Sequence, residues 1–206
     1  MNKYCISISR QFGSLGRPVA KLLAEKLDVN FYDRDIVEMA AEKQGIPLHE
    51  ASRIEESASQ FAFMKFPLGL GTTEAQDKLF QVESKLIREI AERESCVIVG
   101  RCSDSILEDF DNHLSIFVYA PYEDRIVNCV NELGMDPKHA KKMIADVDKA
   151  RDAYHMRYVK YLPNDMNHID LMINSAMFGI EGFKTVDEPL ADREFLADLV
   201  RKKYGG

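Results

Sequence analysis

Apolar and polar positions along the chain follow two habits in turn. Short runs rich in Val, Ile, Tyr and Phe recur at Tyr4–Ser9, Val29–Tyr32, Cys96–Val99, Leu114–Ala120 and Asp170–Asn174, each bounded by polar or turn residues. These five runs predict strands. Between them apolar residues fall three and four apart, as in Leu79, Leu86, Ile87 and Ile90 with Glu83 among them, behind the capping pair Thr73 and Gln76. Such stretches predict helices. Strands that alternate with helices pair in parallel through right-handed crossovers, and helices on both faces make the strands read as apolar runs. The expected architecture is α/β: a three-layer, doubly wound, five-stranded parallel sheet.

Two segments interrupt that rhythm. From Ser52 to Thr72 the chain carries Phe61, Phe63, Phe66, Leu68 and Leu70 broken by Pro67, Gly69 and Gly71. This run is too short to cross a membrane and is either irregular core or a flap or subunit contact over a ligand cleft. The second interruption, Asp136 to Val159, is charged and helical and is followed by Tyr161 and Pro163. The chain therefore reads as one domain over 1–206, with an acceptor-side insertion near 34–75 and a lid-like helical insertion near 134–165.

Composition narrows the partners. Lys and Arg number 27 against 34 Asp and Glu, a net charge of −7, so binding to nucleic acid or anionic membranes through overall charge is disfavoured. Any small anionic ligand must be held by a local cluster. Cys5, Cys96, Cys102 and Cys129 show neither zinc spacing nor a disulfide framework and read as buried reduced thiols. The opening residues lack a signal-peptide run, and no stretch nears the roughly 20 apolar residues of a membrane span. A cytoplasmic protein is expected, its oligomeric state open, with a homo-oligomer among the outcomes.

The candidate chemistry sits after the first strand. Ser9 and Arg10 lead into Gln11-Phe12-Gly13-Ser14-Leu15-Gly16-Arg17-Pro18 and then a helical pattern. Strand, glycine loop and helix make the layout of a phosphate cradle, in which backbone N–H groups turn onto an anion at the positive end of a helix. A tight βα corner has the same outline, so the loop by itself leaves both readings open.

Several motifs in order carry more. Ile6-Ser7-Ile8-Ser9-Arg10-Gln11-Phe12-Gly13-Ser14, Phe31-Tyr32-Asp33-Arg34, Val97-Ile98-Val99-Gly100-Arg101-Cys102, Asp148-Lys149 with Arg151, and Asp170–Ser175 with Gly179-Ile180-Glu181 resemble the cytidylate kinase-like family of P-loop nucleoside monophosphate kinases. The resemblance covers nearly the whole chain. It implies a P-loop NTP hydrolase-like fold, ATP with Mg²⁺ along Ser9, Arg10 and Gly13–Pro18, a monophosphate acceptor near Asp33, Arg34, Arg101 and Asp104, and an arginine-bearing lid. CMP is the implied acceptor.

The chain departs from the family pattern where the chemistry is densest. The lysine of G-x-x-x-x-G-K-[ST] is replaced by Gly16 or Arg17, depending on register, and the hydroxyl that ligates the metal is missing in both. Leu15 stands where related sequences tend to have glycine, Val99 where they tend to have an acid, and Met39 where they place an arginine. Arg17, or Arg10, takes over the lysine's role, since guanidinium binds phosphate bidentately. Arg17 is otherwise a solvated helix-start residue. Asp104 holds Mg²⁺ through water or caps the helix at Ser105–Leu107; Asp33 and Arg34 bind the acceptor, or Asp33 caps the helix Ile36–Glu42 and Arg34 faces solvent. Lys149, Arg151 and Arg157 close over the phosphates or pair with Asp146, Asp148 and Asp152 on the surface. His139, His155 and His168 read as surface or capping residues, and the metal ligands remain unassigned.

The leading expectation is an ATP-dependent phosphotransferase with Arg17, Arg151 and Lys149 offsetting the charge of the transferred group. The alternatives are a nucleotide- or anion-binding sensor without turnover and a kinase of a small metabolite.

Overall fold

The computed structural model describes residues 3–33, 35–44 and 72–178, together with Lys202. Five strands, β1 (Cys5–Arg10), β2 (Asn30–Tyr32), β3 (Cys96–Val99), β4 (His113–Tyr119) and β5 (Leu171–Asn174), form one parallel sheet in the order β2-β3-β1-β4-β5. All five coincide with the apolar runs of the sequence to within a residue or two. β1 is central, with Cys5 opposite Cys96 on one side and His113 on the other. Neighbours this distant in sequence leave the carboxyl ends of β1, β3 and β4 side by side, the place where open α/β sheets bind ligands.

Both faces of the sheet are buried, which explains the unbroken apolar strands. On one face Ile6, Ile8, Val97, Val99, Leu114, Ile116 and Val118 pack against Val19, Ala20, Leu23 and Ala24 of α1 (Gly16–Leu27). The three-to-four spacing of those α1 residues puts them on one stripe, and each large aliphatic side chain so buried contributes roughly 1.5–3 kcal/mol. α1 ends where Asp28 turns left-handed and its N–H returns to the carbonyls of Ala24 and Glu25. On the other face Cys5, Cys96 and Ile98 meet Ile36 of α2 (Asp35–Gln44), Ile87, Ile90 and Ala91 of α3 (Thr72–Arg93), and Ile106 of α4 (Ser103–Ile106). Helix, sheet and helix are the three layers expected.

All four cysteines are buried and unbridged, and Cys5 Sγ lies 3.5 Å from Cys96 Sγ. Two helices complete the fold, α5 (Tyr122–Leu133) and α6 (Pro137–Tyr158). α6 is the charged segment of the sequence, and it begins as its residues dictate: Asp136 accepts from the N–H groups of Lys138 and His139, with Pro137 in the first turn. Two cap expectations shift. α3 starts at Thr72, so Thr73 stands inside it, and α4 is entered from a left-handed Cys102, so Asp104 lies in its first turn and does not cap it. The apolar run Phe61–Gly71 lies outside the described residues, as do Arg34 and Gly179-Ile180-Glu181. Among the described residues no helix is long and apolar enough to cross a membrane.

Candidate functional site

The loop between β1 and α1 is shaped by its own sequence. Ser14, fully buried, points its hydroxyl inward to the carbonyls of Gln11 (2.9 Å) and Val118 (3.0 Å), and the Gln11 side chain accepts from the N–H of Ala120. Gly13 has φ +77°, and a Cβ there would come within 2.8 Å of the Arg125 carbonyl oxygen and 2.9 Å of Cys129 Sγ. Only glycine fits. Leu15 takes φ 58° at the N-cap of α1, a left-handed conformation that costs a branched side chain about 1–2 kcal/mol. Turns of this kind aim backbone N–H groups at one point, and the first-turn amides of α1 have no acceptor within the helix.

α5 and α6 clamp the loop from outside. Asn128 donates to the Gly13 carbonyl at 2.8 Å, and Arg125 donates to the Phe12 carbonyl and pairs with Asp148. The same Asp148 carboxylate accepts the N–H of Phe12 at 2.7 Å, and Arg151, one turn further along α6, donates to the Arg10 carbonyl at 3.0 Å. Arg125 and Asn128 belong to the buried side of α5 with Ile126 and Cys129. A charged and an amide residue on that apolar stripe are the sequence signal that would have exposed this clamp, and the sequence reading passed over both.

Arginines converge above the loop. The Arg10 side chain runs over Gly100 so closely that a Cβ on that glycine would fall on Nη1. Gly100, Arg101 and Cys102 have successive φ values of 75°, 61° and 52°, a left-handed stretch that non-glycine residues adopt only under constraint and that clusters at functional sites. Arg17 Nε binds Asp33 Oδ2 at 2.6 Å, and Arg10 Nη2 lies 3.8 Å from Asp33 Oδ1. Burial pushes the Arg10 guanidinium down to about 9, and the charges of Arg151, Arg101 and Arg17 press the same way against the opposing pull of Asp33. Burial lowers Arg151 as well. Half-buried guanidiniums set beside one another repel, and a bound anion would offset that repulsion.

Other expected residues fall elsewhere. Ser9 is buried within β1, Gly16 packs on the Arg10 Cβ and Val118, and Pro18 is exposed in the first turn of α1, where its missing N–H leaves no helical acceptor unmet. Lys149 is exposed on α6. Arg157 points to α3 and holds Asp77 with both Nε and Nη2, away from the loop. Asp104 is buried and accepts from His155 Nε2 at 3.1 Å and from the Tyr161 hydroxyl at 2.9 Å. His155 is thus no surface residue. Its two ring nitrogens face a carboxylate and the Tyr161 carbonyl, an arrangement that the doubly protonated ring satisfies at once.

The residues at the loop do not fit a protein-held Mg²⁺. The Ser14 hydroxyl is committed to carbonyl oxygens, Pro18 offers none, Val99 is buried and apolar, and Asp33 is engaged by Arg17 and Arg10. Among the described residues no group of three or more His, Cys, Asp or Glu is placed to hold a metal.

A sequence model of the cytidylate kinase-like family matches residues 5–177. An uncharacterized protein from Eubacterium ventriosum is similar over 99% of both chains, at 24% identity and a TM-score of 0.65. TT1252 from Thermus thermophilus is similar over the full length of both chains (15% identity, TM-score 0.56), and shikimate kinase from Bacteroides thetaiotaomicron over 98% of this chain and 99% of its own (12%, 0.51). These likenesses show the fold. No curated protein matches the chain.

Proposed function

The chain belongs to the cytidylate kinase-like family, and from that premise we propose that it moves the terminal phosphoryl group of ATP to a nucleoside monophosphate, with CMP the acceptor the family points to. The observation that carries this reading is the convergence of Arg10, Arg17, Arg101 and Arg151 on the loop at the carboxyl ends of β1 and β3. The donor phosphates lie along Gly13–Arg17 and the acceptor near Asp33, Arg34 and Arg101. Phosphoryl transfer needs positioning and charge stabilisation more than a nucleophilic side chain, and guanidiniums gathered at the loop, Arg10 and Arg151 half-buried among them, supply both. Arg17 faces the transferred group from the start of α1, and Arg151 from α6. The reaction belongs to the cytoplasm, where buried thiols stay reduced.

The test is a coupled assay of ADP release from purified protein and ATP against each nucleoside monophosphate. Acceptor-dependent release, fastest with CMP, supports the proposal. ATP binding with no release for any acceptor overturns it and favours a sensor that binds without turnover. One observation favours that second reading: Asp148 already occupies the Phe12 N–H of the loop. Arg17→Ala separates the two further, because a catalyst loses turnover far more than nucleotide affinity, whereas a sensor loses affinity alone.

A further inference from the structure

We propose that the loop takes the phosphate chain of its nucleotide without a divalent cation held by the protein, the guanidiniums of Arg10, Arg17, Arg101 and Arg151 supplying the counter-charge in its place. The inference rests on the reading of the loop as the nucleotide-phosphate site, and it concerns how the charge there is balanced.

Three observations carry it. The loop's hydroxyl is turned away: Ser14 is buried and donates into the backbone, so its oxygen is directed away from where a metal would sit. The neighbouring acid is already used: Asp33 is buried with Arg17 at 2.6 Å and Arg10 at 3.8 Å, and a cation binding there must first break that pair. The remaining charge has the opposite sign from that of a metal site. Arg151, Arg101 and Arg17 each act unfavourably on the Arg10 charge, so a divalent cation among them would be repelled while a polyanion would relieve all of them together.

Guanidinium is suited to that task in a way a single lysine is not. Each offers five N–H donors in a plane and binds phosphate oxygens in pairs. Among the described residues Arg17 uses Nε on Asp33, and Arg151 uses Nη1 on the Arg10 carbonyl. A metal-free triphosphate also presents more negative charge than its magnesium complex, which favours it where several guanidiniums face a single carboxylate, Asp33.

Calorimetric titration of the full chain with ATP, and separately with inorganic tripolyphosphate, in EDTA and in excess Mg²⁺, tests the proposal. The expected result is that both probes bind in EDTA at least as tightly as in Mg²⁺, and that Arg17→Gln, a substitution at an exposed position, weakens both in EDTA by about tenfold. Affinity that rises about tenfold or more on adding Mg²⁺ overturns the proposal and leaves the nucleotide site standing. Absence of binding by either probe in either buffer overturns the cradle and the proposed function together.

Discussion

Arg17 Nε lies 2.6 Å from Asp33 Oδ2, and the two partners differ sharply in exposure: 8% of the Asp33 side chain is in solvent against 64% of Arg17. The buried member keeps Arg10 as a second, longer-range partner. Removing the exposed member therefore does little to the fold. Arg17→Ala is expected to cost under about 1 kcal/mol in urea unfolding while turnover falls by about a hundredfold. A loss of stability equal to that of a core substitution would show that Arg17 is structural.

Gly100→Ala tests the opposite kind of position. Its φ of +75° costs alanine about 1–2 kcal/mol by backbone conformation alone, and the new methyl group meets the Arg10 guanidinium. The expected outcome is lowered thermal stability together with weakened ATP binding, because Arg10 must leave its position over the strand end. ATP affinity unchanged in a folded Gly100→Ala protein would remove Arg10 from the site.

Asp148 joins the loop to α6. Asp148→Ala leaves the nearly buried Arg125 without its carboxylate and the Phe12 N–H without an acceptor, at an expected cost of about 2–4 kcal/mol. Asp148→Asn keeps an acceptor for the N–H and should recover part of that loss. Equal denaturation midpoints for the two variants would mean that the Phe12 bond contributes nothing.

His155 makes a pH prediction. Burial disfavours its charged form, but the hydrogen bond and charge of Asp104, with the Tyr161 carbonyl, outweigh it and leave the imidazole above its ordinary value of 6.5. A group whose folded value is raised stabilises most below the unfolded value and loses that contribution as pH rises through the folded one. The stability margin of wild type over His155→Gln should accordingly be largest near about pH 6 and shrink toward about pH 8 or above. Urea unfolding across that range checks it, and a margin that grows with pH would reverse the sign.

The layers of this fold are written locally, and the site is not. Each strand announces itself within a few residues, as Cys96–Val99 does, because burial on both faces leaves a continuous apolar run. Arg10, Arg17 and Asp33 could be picked out because they follow strand ends or open a helix, positions defined within one βα unit. The clamp could not. Asp148 reaches Phe12 across 136 positions and Arg125 reaches it across 113, so neither shares a period with the loop it holds. His155 fails for the same reason: on α6 it looks like any polar residue, and only the arrival of Asp104 and Tyr161 buries it. Periodicity reports which way a side chain faces within its own element, and partners from other elements are set by strand order.

The central strand meets its neighbours late. Cys5 is separated by 91 positions from Cys96, its partner on β3, and Ser7 by 106 from His113 on β4. During synthesis at roughly 5–20 residues per second, β1 waits on the order of 5–20 seconds for a strand to pair with. An apolar segment left without partners for that long is a natural client for whatever shields nascent chains at the ribosome. The sheet as a whole should also fold slowly for its size, since nearly every ladder closes a long loop.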